Sequence, residues 1–257
     1  MLNLALSLAV ASSYVAAIYF HQPPQVGGKD RNEPHVIRYR FRRITVLCIV
    51  LVLALPWIVQ DEKYSYMDII RQLGLCPGLS HSMNVWTDII NIVYSFVLII
   101  VLFVGPIFLY LVQPHELQDD FINNFTTIHG IRDHIFAPIT EELIYRGVIL
   151  AITQAWYTPY LFGVAHIHHA YHLYKYKGIQ LSMVLFNSAF QFVYTSLFGI
   201  LANHIYIKYN YNLWCPIVVH MMCNLMGFPS LVPEDGEWQT VYYILLVVGL
   251  GGFFFLL

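Results

Sequence analysis

The stretch Ala137-Pro138-Ile139-Thr140-Glu141-Glu142-Leu143-Ile144-Tyr145-Arg146-Gly147 sets two adjacent carboxylates and a guanidinium inside a run otherwise apolar enough for a lipid bilayer. At the centre of a spanning helix each such charge costs roughly 2.5–3.5 kcal/mol on insertion scales, so all three, deep and unpaired, would cost about 8–10 kcal/mol. A membrane segment carries that load only if the charges pair, lie near an interface or face a wet cavity. On a helix, residues four apart share a face, so Glu142 and Arg146 can pair with the acid N-terminal to the base. Glu141 points about 100° away, on the face of Tyr145. One carboxylate is thereby occupied and its neighbour is left over, either as a spare charge near the headgroups or as a working carboxylate in a cavity.

The surroundings of this stretch define the fold class. The 257 residues are 58% hydrophobic and 11% charged, and the mean hydropathy is +0.60. Soluble domains run nearer a quarter charged, so the chain is an all-α, polytopic transmembrane helical bundle. A formal net charge of −2, with no basic domain, offers nothing for nucleic acid. Cys48, Cys76, Cys215 and Cys223 show no paired spacing and read as buried fillers rather than a disulfide framework or metal site. The first twenty residues lack a basic leader and end in the bulky Tyr14–Phe20 stretch, which predicts a retained span rather than a cleaved signal.

Apolar runs predict spans near 2–20, 44–60, 88–113, 136–157, 158–173, 180–207, 213–227 and 239–257, seven or eight in all. The fifth and seventh are short and polar for lipid-facing helices, and belong inside the bundle lining a cavity. Residues 1–43 form an N-terminal span and a basic loop, and 44–257 a single helical membrane domain. The loop holds six of the 13 Lys and Arg residues, Lys29, Arg31, Arg38, Arg40, Arg42 and Arg43. The positive-inside rule makes it cytosolic, and alternation then sets 114–135 and the Glu pair near the cytosolic face. Asn124-Phe125-Thr126 is a glycosylation sequon that never meets the lumen on this topology. Glu116, Asp119 and Asp120, with Leu117, Phe121, Ile122 and Phe125 between them, predict an amphipathic interfacial helix over 114–135.

Two further apolar runs carry polar side chains at helical spacing. Phe162 precedes His166 by four residues, and His220 precedes Asn224 by four, each pair on one face. A lone histidine in a helix is more often a satisfied core residue than a catalyst. Three separate departures from bilayer economy are better explained by one shared polar pocket. His166, His168, His169 and His172 could supply zinc ligands, yet no His-Glu-x-x-His is present, so a zinc-dependent membrane protease is an alternative rather than the leading reading. Gly-x-Ser-x-Gly is also absent and Cys223 is flanked by apolar residues, which argues against a serine or cysteine nucleophile. A water activated by a carboxylate and a histidine remains.

Taken together, Glu141-Glu142-x-x-x-Arg146, Phe162-x-x-x-His166 and His220-x-x-x-Asn224 resemble the motifs of the CAAX proteases and bacteriocin-processing membrane proteins, and within them the type II CAAX prenyl endopeptidases of the endoplasmic reticulum. The resemblance covers about residues 130–230. It implies an all-helical intramembrane protease with no cofactor and no metal. It further implies Glu141 and His166 as the groups that activate water, His220 and Asn224 as oxyanion donors, and Glu142 and Arg146 as their structural support. The implied substrates are prenylated CAAX-tailed proteins, Ras-like GTPases among them, which lose their last three residues at a site opening to the cytosol. A non-catalytic scaffold of the same fold and an ion-coupled transporter are readings from other classes. The transporter would call for an internal repeat and paired broken helices, and the sequence has neither.

Overall fold

The computed structural model describes residues 1–59, 65–112, 117–230 and 236–257, and among these every regular element is helical. In chain order the longer helices are α1 (Leu2–Tyr19), α2 (Pro34–Val59), α4 (Val85–Leu102), α12 (Leu181–Lys208) and α14 (Gln239–Leu256), and these five are long and apolar enough to cross a membrane. The chain is thus a multi-pass membrane protein.

The eight windows predicted from sequence resolve differently from one another. α2 begins at Pro34, ten residues before the apolar run, because Pro is pre-organised for the first helical turn; Arg38, Arg40, Arg42 and Arg43 therefore ride on the helix. The window 88–113 becomes α4, N-capped by the Asn84 side chain on the N–H groups of Trp86 and Thr87, and then α5 (Val104–Val112) after a break at Phe103. The window 158–173 is two short helices, α10 (Thr158–His166) and α11 (His168–Lys177), separated by a turn at Ile167. Neither reaches across about 30 Å of hydrocarbon at about 1.5 Å per residue, and the same holds for α13 (Trp214–Met226). These short helices sit among the spanning ones, as their polarity demands.

The predicted amphipathic helix over 114–135 is interrupted. α6 (Leu117–Phe125) ends, and Thr127 then caps a new start, its Oγ1 accepting from the Gly130 N–H at 3.1 Å. Glu116 lies outside the described residues. From Ile128 the helix runs without a gap to Ile152, through α7 (Ile128–Ile131), a π segment Arg132–Phe136, α8 (Ala137–Glu142), a second π segment Leu143–Val148 and α9 (Ile149–Ile152). This run carries Glu141, Glu142 and Arg146, and its π segments are the wider turns that recur at functional sites.

α1 faces the core with a helical stripe, Ser7, Val10, Ala11, Tyr14 and Ile18, and packs on α2, α9 and α10. α10 meets α12 at very short range. A Cβ at Gly163 would stand 2.2 Å from Ser196 Oγ, and one at Gly199 2.7 Å from the Pro159 carbonyl oxygen. In lipid, where apolar surface gains nothing by hiding from hydrocarbon, such small-residue contacts are what hold helices together. α3 (Tyr66–Arg71) completes the numbered elements. The loop that follows is tied down by buried Asp88, which accepts from Ser80 Oγ (2.6 Å), Ser82 Oγ (2.8 Å) and the Gly78 N–H (2.7 Å). Cys48 and Cys215 are buried and Cys223 half-buried, while Cys76 is exposed; all four are free.

Candidate active site

The charged residues of the long helix separate as their spacing predicts. Glu142 and Arg146 are both fully buried, with Arg146 Nη1 donating to Glu142 Oε1 at 3.0 Å. Arg146 lies within the second π segment, and the pair with Glu142 is made across its first turn. The same Oε1 accepts from His220 Nδ1 at 2.7 Å, so one carboxylate oxygen joins the long helix to α13. The far edge of the guanidinium, Nε and Nη2, has no hydrogen-bond partner. Two aromatic faces cover it instead: Phe162, with its centroid 4.6 Å from Cζ, and Phe198 at 5.5 Å.

Glu141 turns the other way, into a cavity, and is 13% exposed. Its Oε2 lies 4.0 Å from His166 Nε2 and 3.9 Å from His220 Nε2, while Oε1 accepts from Tyr14 Oη of α1 at 3.3 Å. The three spans singled out in the sequence therefore do converge. Phe162 is the packing hub between them: its ring contacts His166 (4.5 Å between centroids), Tyr145 (5.1 Å) and His220 (5.8 Å) as well as Arg146.

The outer nitrogens of both imidazoles fix what the inner ones can do. His166 Nδ1 is 2.8 Å from the Phe162 carbonyl, which only accepts, so Nδ1 holds a proton and Nε2 of the neutral ring has a lone pair facing Glu141. His220 Nδ1 likewise donates, to Glu142; its Nε2 can donate as well only when the ring carries both protons.

Asn224 stands one turn beyond His220 and lines the same cavity, with Nδ2 donating to the Asp133 carbonyl at 2.8 Å. The reason is local. Ala137 N–H bonds the Arg132 carbonyl five residues back, and in that register the next N–H would serve Asp133, but residue 138 is proline and has none. Asn224 satisfies the carbonyl that Pro138 leaves without a donor, and its amide keeps a second N–H.

Cavities lie on both sides of the acid. One, of about 640 Å³, is walled by aromatic side chains, including Phe190, Tyr194, Phe198 and Phe228. The other, of about 150 Å³, is walled by Arg31, Arg40, Arg132, Tyr14 and His168. Glu141 and His166 line both. His168 parts from His166 at the Ile167 turn, its ring lying edge-on to Tyr19 at 5.5 Å. The side chains of His169 and His172 are outside the described part of the structure. Among the described residues no group of three or more His, Cys, Asp or Glu side chains is arranged to hold a metal ion.

Tyr14, Phe198 and the arginines were not singled out from sequence. Tyr14 is one of 19 tyrosines and nothing in its spacing marks it. The arginines of the loop were legible only as a topology signal.

A multi-pass protein that keeps an acid and two imidazoles from three helices against an internal cavity is, by class, a membrane-embedded enzyme. A family model described as "Type II CAAX prenyl endopeptidase Rce1-like" matches residues 123–226. "CAAX prenyl protease 2" of Saccharomyces cerevisiae is 29% identical over 95% of this chain and 90% of its own length. "Probable CAAX prenyl protease 2" of Schizosaccharomyces pombe is 30% identical over 95% and 88%, and the Homo sapiens "CAAX prenyl protease 2" 27% identical over 87% and 70%. No solved structure matches the chain. The chain belongs to the type II CAAX prenyl endopeptidase family.

Proposed function

We propose that this chain is an intramembrane endopeptidase that removes the last three residues from prenylated CAAX proteins, using a water activated by Glu141 and His166. The observation that carries this reading is the pair of gaps around Glu141 Oε2, 4.0 Å to His166 Nε2 and 3.9 Å to His220 Nε2. Both are too long for direct hydrogen bonds. A water about 2.8 Å from Oε2 and from one imidazole would subtend roughly 90° at its oxygen, within reach of a bent hydrogen-bond arrangement.

In this reading Glu141 or the His166 lone pair takes the proton as the water oxygen attacks the scissile carbonyl carbon. A carboxylate or imidazole held within reach of the water can take that proton as the bond forms. Charge gathers on the former carbonyl oxygen, where doubly protonated His220 donates from Nε2 and Asn224 from its second N–H. Such donors are worth roughly 3–4 kcal/mol each by analogy with other hydrolases. The proton taken from water then passes to the leaving amine. Glu142 holds His220 in orientation through Nδ1, and Arg146 holds Glu142.

The aromatic cavity suits the isoprenoid on the substrate cysteine. Phe190, Tyr194 and Phe228 are exposed at its rim and in mutual ring contact at 5.6–6.4 Å, which supports entry of the lipid from the side. The basic residues of the α1–α2 connection and the first turns of α2 support an orientation with the site open to the cytosol, and the substrate class supports residence in the endoplasmic reticulum membrane, with Ras-like GTPases among the clients.

The test is mass analysis of a farnesylated CAAX peptide incubated with purified protein. Wild type should yield the peptide shortened by three residues. Glu141→Gln should be slower by about 10²–10⁴-fold while eluting and melting as wild type does. A Glu141→Gln protein that cleaves at the wild-type rate would sink the proposal.

A further inference from the structure

The smaller cavity has a composition that the hydrolytic step does not use. Its wall holds three guanidinium groups from three places in the chain: Arg31 from the α1–α2 connection, Arg40 from α2 and Arg132 from the first π segment. Two carboxylates share the wall, Asp133 and Glu141. Asp133 is committed to Arg132, accepting from Nε at 2.6 Å and Nη2 at 2.8 Å, and Arg132 Nη1 is held by Asn32 Oδ1 at 3.0 Å. Glu141 faces the imidazoles. The recess therefore gathers more positive than negative charge beside the reacting centre, in a protein with only 13 Lys and Arg residues. Burial first, and then the like charge of Arg132, hold the Arg31 guanidinium below its usual range, as expected for cations crowded together. Guanidinium forks match the two oxygens of a carboxylate, and a guanidinium with its five N–H donors can hold one while keeping other contacts, as Arg40 does over the Tyr19 ring at 5.4 Å.

We propose that this recess receives the free C-terminal carboxylate of the substrate, with Arg31 and Arg40 as its anchors and Arg132, clamped by Asp133, as the fixed third wall. The inference rests on the proposed function and gives it a polarity. Glu141 and His166, with Asp133 and Ala137, line both cavities, so a peptide bond lying on the acid and the imidazole can have its prenyl-cysteine on the aromatic side and its tail on the basic side. Three extended residues span about 10 Å. An anchor for the terminus on the basic side measures the tail from the cut to its free end, which would set the cut at a fixed number of residues.

The experiment compares one farnesylated CAAX peptide as the free acid and as the C-terminal amide, with wild type, Arg31→Gln and Arg40→Gln proteins. Wild type should favour the acid by about 10- to 100-fold in kcat/KM, mostly through KM, the range for losing a charge-assisted hydrogen bond. Each variant should lower the acid rate toward the amide rate and leave the amide rate nearly unchanged. The amide rate thereby reports whether a variant is folded; should neither variant fold, the wild-type comparison alone decides. Equal cleavage of acid and amide by wild type refutes the carboxylate anchor and leaves the protease reading standing. A variant that slows both peptides alike, with a loss that follows the content of anionic lipid, refutes it in favour of a headgroup phosphate site. Cleavage of neither peptide by wild type refutes the protease reading and the anchor with it.

Discussion

Breaking the buried Glu142–Arg146 pair should do more harm than deleting it whole. Both side chains are 0% exposed, and Arg146 Nη1 and His220 Nδ1 converge on a single oxygen of Glu142. Glu142→Ala leaves a buried guanidinium without the carboxylate it donates to, between two aromatic faces. Removing one partner of such a pair costs about 3–5 kcal/mol, while replacing both by apolar side chains of similar volume is often neutral. At roughly 2–4 °C per kcal/mol for a chain of this size, the melting temperature should fall by roughly 6–20 °C. The double variant Glu142→Leu with Arg146→Met should recover most of that loss and pack its new methyl groups on Phe162 and Phe198. The assay is thermal unfolding in detergent followed by size exclusion, paired with peptide cleavage. The double variant should stay inactive although folded, since His220 has lost the carboxylate that orients it. A fall of less than about 2 °C in Glu142→Ala, or an active double variant, would refute the reasoning.

Three further outcomes follow from named contacts. Asn224→Ala removes the donor to the Asp133 carbonyl at an exposed position and should cost about 0.5–1.5 kcal/mol; adding Pro138→Ala, which restores a backbone donor, should recover stability in thermal unfolding but not turnover if the second N–H meets the oxyanion. Tyr14→Phe removes a 3.3 Å hydrogen bond to Glu141 and should cost at most about 1 kcal/mol of stability, while steady-state kinetics should show kcat reduced several-fold at unchanged KM. Exhaustive chelation should leave peptide cleavage at its full rate; activity lost to a chelator and restored by zinc would overturn this in favour of the metal alternative.

The fold and the convergence of polar side chains at the candidate site were legible because lipid punishes polar groups. Each of Glu141, His166 and His220 stood out against an apolar background, and a shared pocket was the economical account of all three. Arg146 was assigned from spacing alone, and the 3.0 Å contact agrees with it. Other features left no such mark. The windows 158–173 and 213–227 resolved into short helices because hydropathy windows do not register a turn such as Ile167, or a helix as short as α13. The break at Thr127 depends on a side-chain cap that periodicity does not see. Tyr14 comes from a span that looked like a plain anchor, and its hydroxyl reaches Glu141 only because α1 packs on the long helix. The arginines were read for their charge, which set topology, and not for their position, which only three-dimensional contact reveals.

The wide turn at Arg132–Phe136 has a consequence for chain length. A helix that bonds five residues back holds one residue more than an ordinary turn, so deleting any one residue there would let the helix close to its usual pitch. Side chains beyond it would keep their direction, because four residues of an ordinary turn sweep about the same angle as five of the wide one. Glu141 would stay beside the imidazoles and Pro138 would still fall opposite the Asp133 carbonyl. The same one-residue loss in an ordinary turn of this helix would swing every later side chain by about 100°, so the wide turn is the one place where the helix can lose a residue and keep its polar face aligned.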